Sequence, residues 1–227
     1  MNVPPSLPAS LRRAVEDDHR PVHPLPRAER RVVWVALCAA VVLAVAPAAF
    51  GRRSNAAELG AIVFWGATAA QCAVGLLLAW LALREAIPAA GASLNRRAAA
   101  LAGGVAFQVL ASLAGWARLG GAPAAAFSHG STCAALETVI AIPALIVTLV
   151  LVARAYAVRP GWAGVLGGMG SGLIADGAWR LVCPYGDLTH LLVWHTGAVV
   201  LLALLGLVAG TLIGWQRTRG ARHHTAA

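Results

Sequence analysis

The chain has 227 residues, 59% hydrophobic and 12% charged, and its 18 basic residues, all Arg, outnumber 9 acidic ones for a net charge of +9. An ordinary soluble domain is about 25% charged; this composition excludes a disordered chain, which needs low hydrophobicity, and argues against direct nucleic-acid binding, which needs a basic face on a soluble domain. Four Cys are too few for a disulfide scaffold.

The first segment, residues 1–31, holds six Pro and six Arg around Glu16-Asp17-Asp18. Proline fixes His19-Arg20-Pro21-Val22-His23-Pro24-Leu25-Pro26 as extended. Two readings stand side by side. One is a solvated tail whose Arg side chains hold anionic lipid and set topology. The other is a peptide that docks a partner, since a stiff segment loses little entropy on binding and Val22 and Leu25 offer apolar anchors.

After the tail come six apolar runs: Val32–Phe50, Leu59–Leu83, Ala98–Trp116, Cys133–Ala153, Trp162–Leu181 and Leu191–Trp215. About 20 helical residues cross about 30 Å of hydrocarbon, so each run is long enough. Their continuous apolar character predicts helices and not a barrel. Arg, Glu and Pro punctuate most ends, and Trp34, Trp80, Trp116, Trp162, Trp179 and Trp215 stand near them, where indole favours the headgroup zone. The fifth run is the weakest, being Gly-rich with Asp176 and Arg180. The expectation is an all-α polytopic bundle over residues 32–216, with a short basic tail at 217–227. With the N-terminus inside, 14 Arg fall on the cytoplasmic side and 4 outside, so both termini are expected in the cytoplasm. Ala44-Val45-Ala46 resembles a signal-peptidase site, but the preceding tail is too long and Pro-rich for a signal peptide.

Candidate chemistry collects on the expected outer face. His129 and Cys133 open span four, with Glu137 one turn further in; Cys183, Pro184, Tyr185, Asp187, His190 and His195 follow span five. Cys133 and Cys183 share a face on which a disulfide persists in an oxidising compartment. With His129 and His190 they are also a candidate set for a transition metal such as zinc. Against both stands the plain reading of Cys as a small hydrophobe and His as a helix-end hydrogen-bonding group. That plain reading is preferred for Cys38 and Cys72, inside spans one and two. Gly164, Gly168 and Gly172 form a stripe with Asp176 and Arg180, matched by Gly206, Gly210 and Gly214 in span six, which predicts close packing of spans five and six. Asp176 and Arg180 are expected to pair along the helix. Gln71, Gln108 and Thr148 are the other polar groups at depth, each expected to be isolated, which disfavours a transporter. No phosphate-binding loop, dinucleotide fingerprint or nucleophile elbow occurs, so no catalytic residues and no cofactor are expected.

Several segments carry a resemblance: Asp18-His19-Arg20-Pro21-Val22-His23-Pro24-Leu25, Leu81-Ala82-Leu83-Arg84-Glu85-Ala86-Ile87-Pro88, Gly130-Ser131-Thr132-Cys133, and Cys183-Pro184-Tyr185-Gly186-Asp187-Leu188-Thr189-His190 running into Val193-Trp194-His195. Their order resembles the NrsF-type membrane proteins, six-span anti-sigma factors of the bacterial inner membrane. The resemblance implies binding of an extracytoplasmic-function sigma factor through the tail at Arg20, Pro21, Val22, Pro24 and Leu25. It also implies release on an envelope signal, oxidative or heavy-metal, sensed at Cys133 and Cys183. His23 departs from the family pattern, which has Arg there. The alternative is a metal- or redox-handling membrane protein with no regulatory partner, using His129, Cys133, Cys183 and His190. Oligomeric state is open.

Overall fold

A computed structural model describes residues 8–10, 13, 25–88, 90–120, 128–155 and 157–224. Its long helices are α1 (Ala28–Phe50), α2 (Ala56–Glu85), α3 (Leu94–Leu119), α4 (Gly130–Arg154), α5 (Pro160–Trp179) and α6 (Leu188–Arg219). No strand occurs among the described residues. Five of the helices are long and apolar enough to cross a membrane; α5 is not. Their outer faces fit a multi-pass membrane protein. Val33, Leu37, Val41 and Val45 of α1 and Leu201, Leu204, Val208 and Leu212 of α6 point outward, as lipid-facing residues do.

The exception has a physical cause. Seven of the 20 residues of α5 are Gly, each worth about 1 kcal/mol against an exposed helix, and Asp176 lowers its hydropathy further. Sixteen of those residues are buried, because α6, α2 and α4 wrap the helix. An enclosed helix meets protein and not lipid, so it needs small residues more than apolar ones. A Cβ on Gly164 would overlap the Gly206 carbonyl oxygen, and one on Gly168 would overlap that of Leu202. The Gly stripes of α5 and α6 therefore meet backbone to backbone, as their spacing predicts. A second close approach was not expected: a Cβ on Gly75 of α2 would stand 2.7 Å from the Gly170 carbonyl oxygen. The shared core includes Leu78, Ala82, Leu166, Met169 and Leu173.

At the end where α1 begins, arginines close the bundle. Helix α1 starts at Ala28, ahead of the expected Val32, and so takes in Arg31, which is 3% exposed. Its guanidinium donates to the Leu83 carbonyl at 3.3 Å and to that of Leu151. Arg217 donates to the Ala153 carbonyl. These contacts satisfy C-terminal carbonyls of α2 and α4 that have no partner within their own helices. Between α2 and α3, Glu85 and Arg97 form a buried pair at 2.8 Å. Glu85 also accepts from the backbone N–H of Ala92.

Candidate functional site

At the opposite end, three elements converge. Cys133 lies in the first turn of α4, Cys183 in the connection after α5, and His190 and His195 at the start of α6. Cys133 Sγ is 3.9 Å from Cys183 Sγ, and Cys183 Sγ is 3.5 Å from His190 Nε2. Both cysteines are buried against Trp179, Val182 and Tyr185, and neither is disulfide-bonded. The backbone of α6 explains why both histidines join them. Residues five apart on an α-helix point about 140° apart at 100° per residue. Leu191–His195 is instead a π turn, whose i→i+5 bonding stacks residues at that spacing. The His190 and His195 ring centroids are accordingly 5.2 Å apart. Asp187 caps this helix, accepting from the His190 N–H at 2.9 Å.

The connection that carries Cys183 is held from α2's side. Arg53 donates to the carbonyls of Arg180 at 3.1 Å and Pro184 at 3.3 Å, and its own N–H donates to Leu181 at 3.0 Å. Burial pushes the Arg53 guanidinium below its ordinary pKa. Asn55 adds a bond to the Pro184 carbonyl at 2.8 Å. Gly130 has to be Gly because a Cβ there would overlap the Trp194 indole.

Below the sulfurs lies a carboxylate layer. His195 Nδ1 is 2.6 Å from Asp176 Oδ1 and 3.1 Å from Glu137 Oε2. Asp176 also accepts from Gln108 at 3.0 Å and from Gln71, and Arg180 Nε stands 3.5 Å from it. Gln71 donates to Gln108 at 2.6 Å. The expectation that Gln71 and Gln108 are isolated is overturned. They lie on α2 and α3 at heights that face Asp176 on α5, a juxtaposition no spacing within one helix could reveal. The Asp176–Arg180 pair forms as expected, but as one edge of this larger network. Thr148 is satisfied within its own helix, donating to the Ala144 carbonyl at 2.8 Å. The layer is sealed: Gln71, Gln108 and Glu137 are 0% exposed and Asp176 and His195 1%.

The family model for NrsF, negative regulator of sigma F, matches residues 16–215. The chain belongs to the NrsF family. No curated protein and no solved structure matches it. As an NrsF protein it is a negative regulator of a sigma factor, and a sigma factor is its partner. The segments that carry the sequence resemblance now have places. Leu81–Pro88 supplies Glu85 for the buried pair with Arg97, and Gly130 and Cys133 open α4 beside Trp194. Cys183–His190 supplies one thiol and one imidazole of the sulfur cluster.

Of the residues singled out in the sequence, the NrsF structure brings Cys133, Cys183 and His190 together. His129 goes elsewhere: its ring stacks on Tyr185 with centroids 6.0 Å apart, and His195 completes the cluster instead. Leu25, three residues ahead of α1, is exposed, whereas Arg20, Pro21, Val22 and Pro24 lie outside the described residues. Cys72 is buried on the face of α2 that packs against Gly177 of α5. Cys38 packs at the edge of the cluster of Val35, Ala39 and Ala79, so both serve as core hydrophobes.

Proposed function

We propose that this protein is a six-span anti-sigma factor of the bacterial inner membrane with both termini in the cytoplasm, α5 being the enclosed span. It holds an extracytoplasmic-function sigma factor through its tail and releases it when an envelope signal, oxidative or heavy-metal, alters Cys133 and Cys183. The observation that carries this reading is the division of the bundle. The thiol pair sits at one end, and the helix into which the tail runs is gripped at the other. The Arg count of 14 against 4 supports placing the tail end in the cytoplasm.

A physical link between the ends supports the mechanism. Helix α4 bears Cys133 in its first turn and, 18 residues later, the Leu151 carbonyl that Arg31 grips. At 1.5 Å per residue those points are about 27 Å apart. A shift of α4 driven at the thiols therefore reaches Arg31, and with it the tail. Switching of this kind requires two arrangements of α4 whose balance both ends bias.

The test is co-purification of the sigma factor with the full-length chain. Arg20→Ala together with Val22→Asp and Leu25→Asp should abolish capture while the membrane domain stays folded. Undiminished capture would refute docking through the tail. Reporters fused after residue 120 and after residue 227 should report opposite sides of the membrane.

A further inference from the structure

Zinc held by thiolates and imidazoles is tetrahedral, with metal–sulfur distances of about 2.3 Å and metal–nitrogen distances of about 2.0–2.1 Å. Those lengths place two sulfurs about 3.8 Å apart and a sulfur and a nitrogen about 3.6 Å apart. Cys133 Sγ and Cys183 Sγ are separated by 3.9 Å, and Cys183 Sγ and His190 Nε2 by 3.5 Å. Two edges of the tetrahedron are thus already set. One ligand atom from each of Cys133, Cys183, His190 and His195 lies within 4.8 Å of the others, and all four residues are buried.

The state of His195 points the same way. Its Nδ1 faces Asp176 Oδ1 at 2.6 Å, while its Nε2 is buried without a hydrogen-bond partner. An imidazole that gives its Nδ1–H to a carboxylate keeps its lone pair on Nε2, the arrangement of metal-ligating histidines. A buried acceptor left unsatisfied costs about 1–3 kcal/mol, a cost that ligation removes. Asp176 is in turn oriented by Gln71, Gln108 and Arg180.

We propose that Cys133, Cys183, His190 and His195 are the four ligands of a thiophilic divalent cation of the zinc and cadmium class, with Asp176 positioning His195. The proposal rests on the reading of the cysteine pair as the sensing element, and it commits that element to cation capture. On binding, the cation displaces one proton from each thiol to solvent, and two metal–sulfur and two metal–nitrogen bonds form. The two thiolates cancel its charge, which a buried site requires. No oxidant takes part. A cavity of about 20 Å³ lined by Arg53, Gly115, Arg180, Cys183 and His195 leaves room beside the cluster for one water-sized species. Ligation would tie α4, the connection after α5 and α6 to one centre.

The experiment is titration of the purified full-length protein with cadmium chloride. The sulfur-to-cadmium charge-transfer absorption is followed, and bound metal is counted by elemental analysis. One cadmium per chain is expected, with loss of the band in Cys133→Ser with Cys183→Ser. His195→Gln and Asp176→Asn should weaken binding about 10–100-fold and keep the band, and His129→Gln should leave affinity unchanged. If His195→Gln does not fold, His190→Gln gives the same reading. Wild-type affinity in the His190 and His195 variants would overturn the ligand set, as would stoichiometric cadmium in the double Ser variant. Absence of cadmium binding, with oxidant-driven sigma release still lost in the double Ser variant, would sink this site and leave the sensing reading intact. Cadmium binding alongside unaltered signal response in that variant would do the reverse.

Discussion

The two ends of the bundle bury different kinds of polar group. At the tail end, the buried cations find acceptors: Arg31 holds two helix carbonyls and Arg97 holds Glu85. At the thiol end, buried thiols, imidazoles and carboxylates are gathered against one another: Cys133, Cys183, His190 and His195 above, Glu137 and Asp176 below. Cations bonded to helix carbonyls and to a carboxylate fix a structure; titratable and thiol groups gathered in one buried place can take up a ligand or change state. The difference assigns the arginine end to holding and the cysteine end to responding, with α4 and the Gly-packed α5 between them.

Substitutions at either end test that contrast. The largest loss of stability is expected for Arg97→Ala, which strands the buried Glu85 carboxylate and should cost about 3–5 kcal/mol, read as a lowered melting temperature in detergent with no selective effect on signal response. Next is Gly206→Leu. An added side chain there meets the Gly164 carbonyl, and overpacking of about 1–3 kcal/mol or more is expected, measured by the same melting. Arg31→Met keeps the buried stem but frees the Leu83 and Leu151 carbonyls, for about 1–3 kcal/mol. It should also weaken the coupling between signal and sigma release, which a titration of release against inducer would show. The smallest change in stability, about 1 kcal/mol, is expected for Cys133→Ser with Cys183→Ser, yet this pair should lose the response altogether. A variant of the arginine end that lost response while keeping full stability would erase the contrast.

Much of this was legible in the sequence. The six apolar runs located the six long helices, five of which are long and apolar enough to cross a membrane, and the Gly stripes at spacing four matched α5 to α6. Cys133 and Cys183 were placed on one face by topology alone. What stayed hidden depends on relations between helices or on local backbone departures. Gln71, Gln108 and Asp176 sit on three different helices, so no one-helix periodicity joins them. His195 is five residues from His190, a spacing that shares a face only because a π turn intervenes. Arg31 read as part of the charged tail because nothing in its own neighbourhood discloses the carbonyls of Leu83 and Leu151, which lie 52 and 120 residues away. His129, four residues from Cys133, had the right spacing for a ligand, and stacking on Tyr185 takes it out of the set.

The most direct measurement follows the bound sigma factor on the full-length protein in lipid nanodiscs as inducer, cadmium or oxidant, is added. It compares the wild type with Cys133→Ser, Cys183→Ser. Both forms are expected to bind the sigma factor equally at rest, and only the wild type to release it. Equal release from both would contradict the claim that the cysteine end governs what the tail holds.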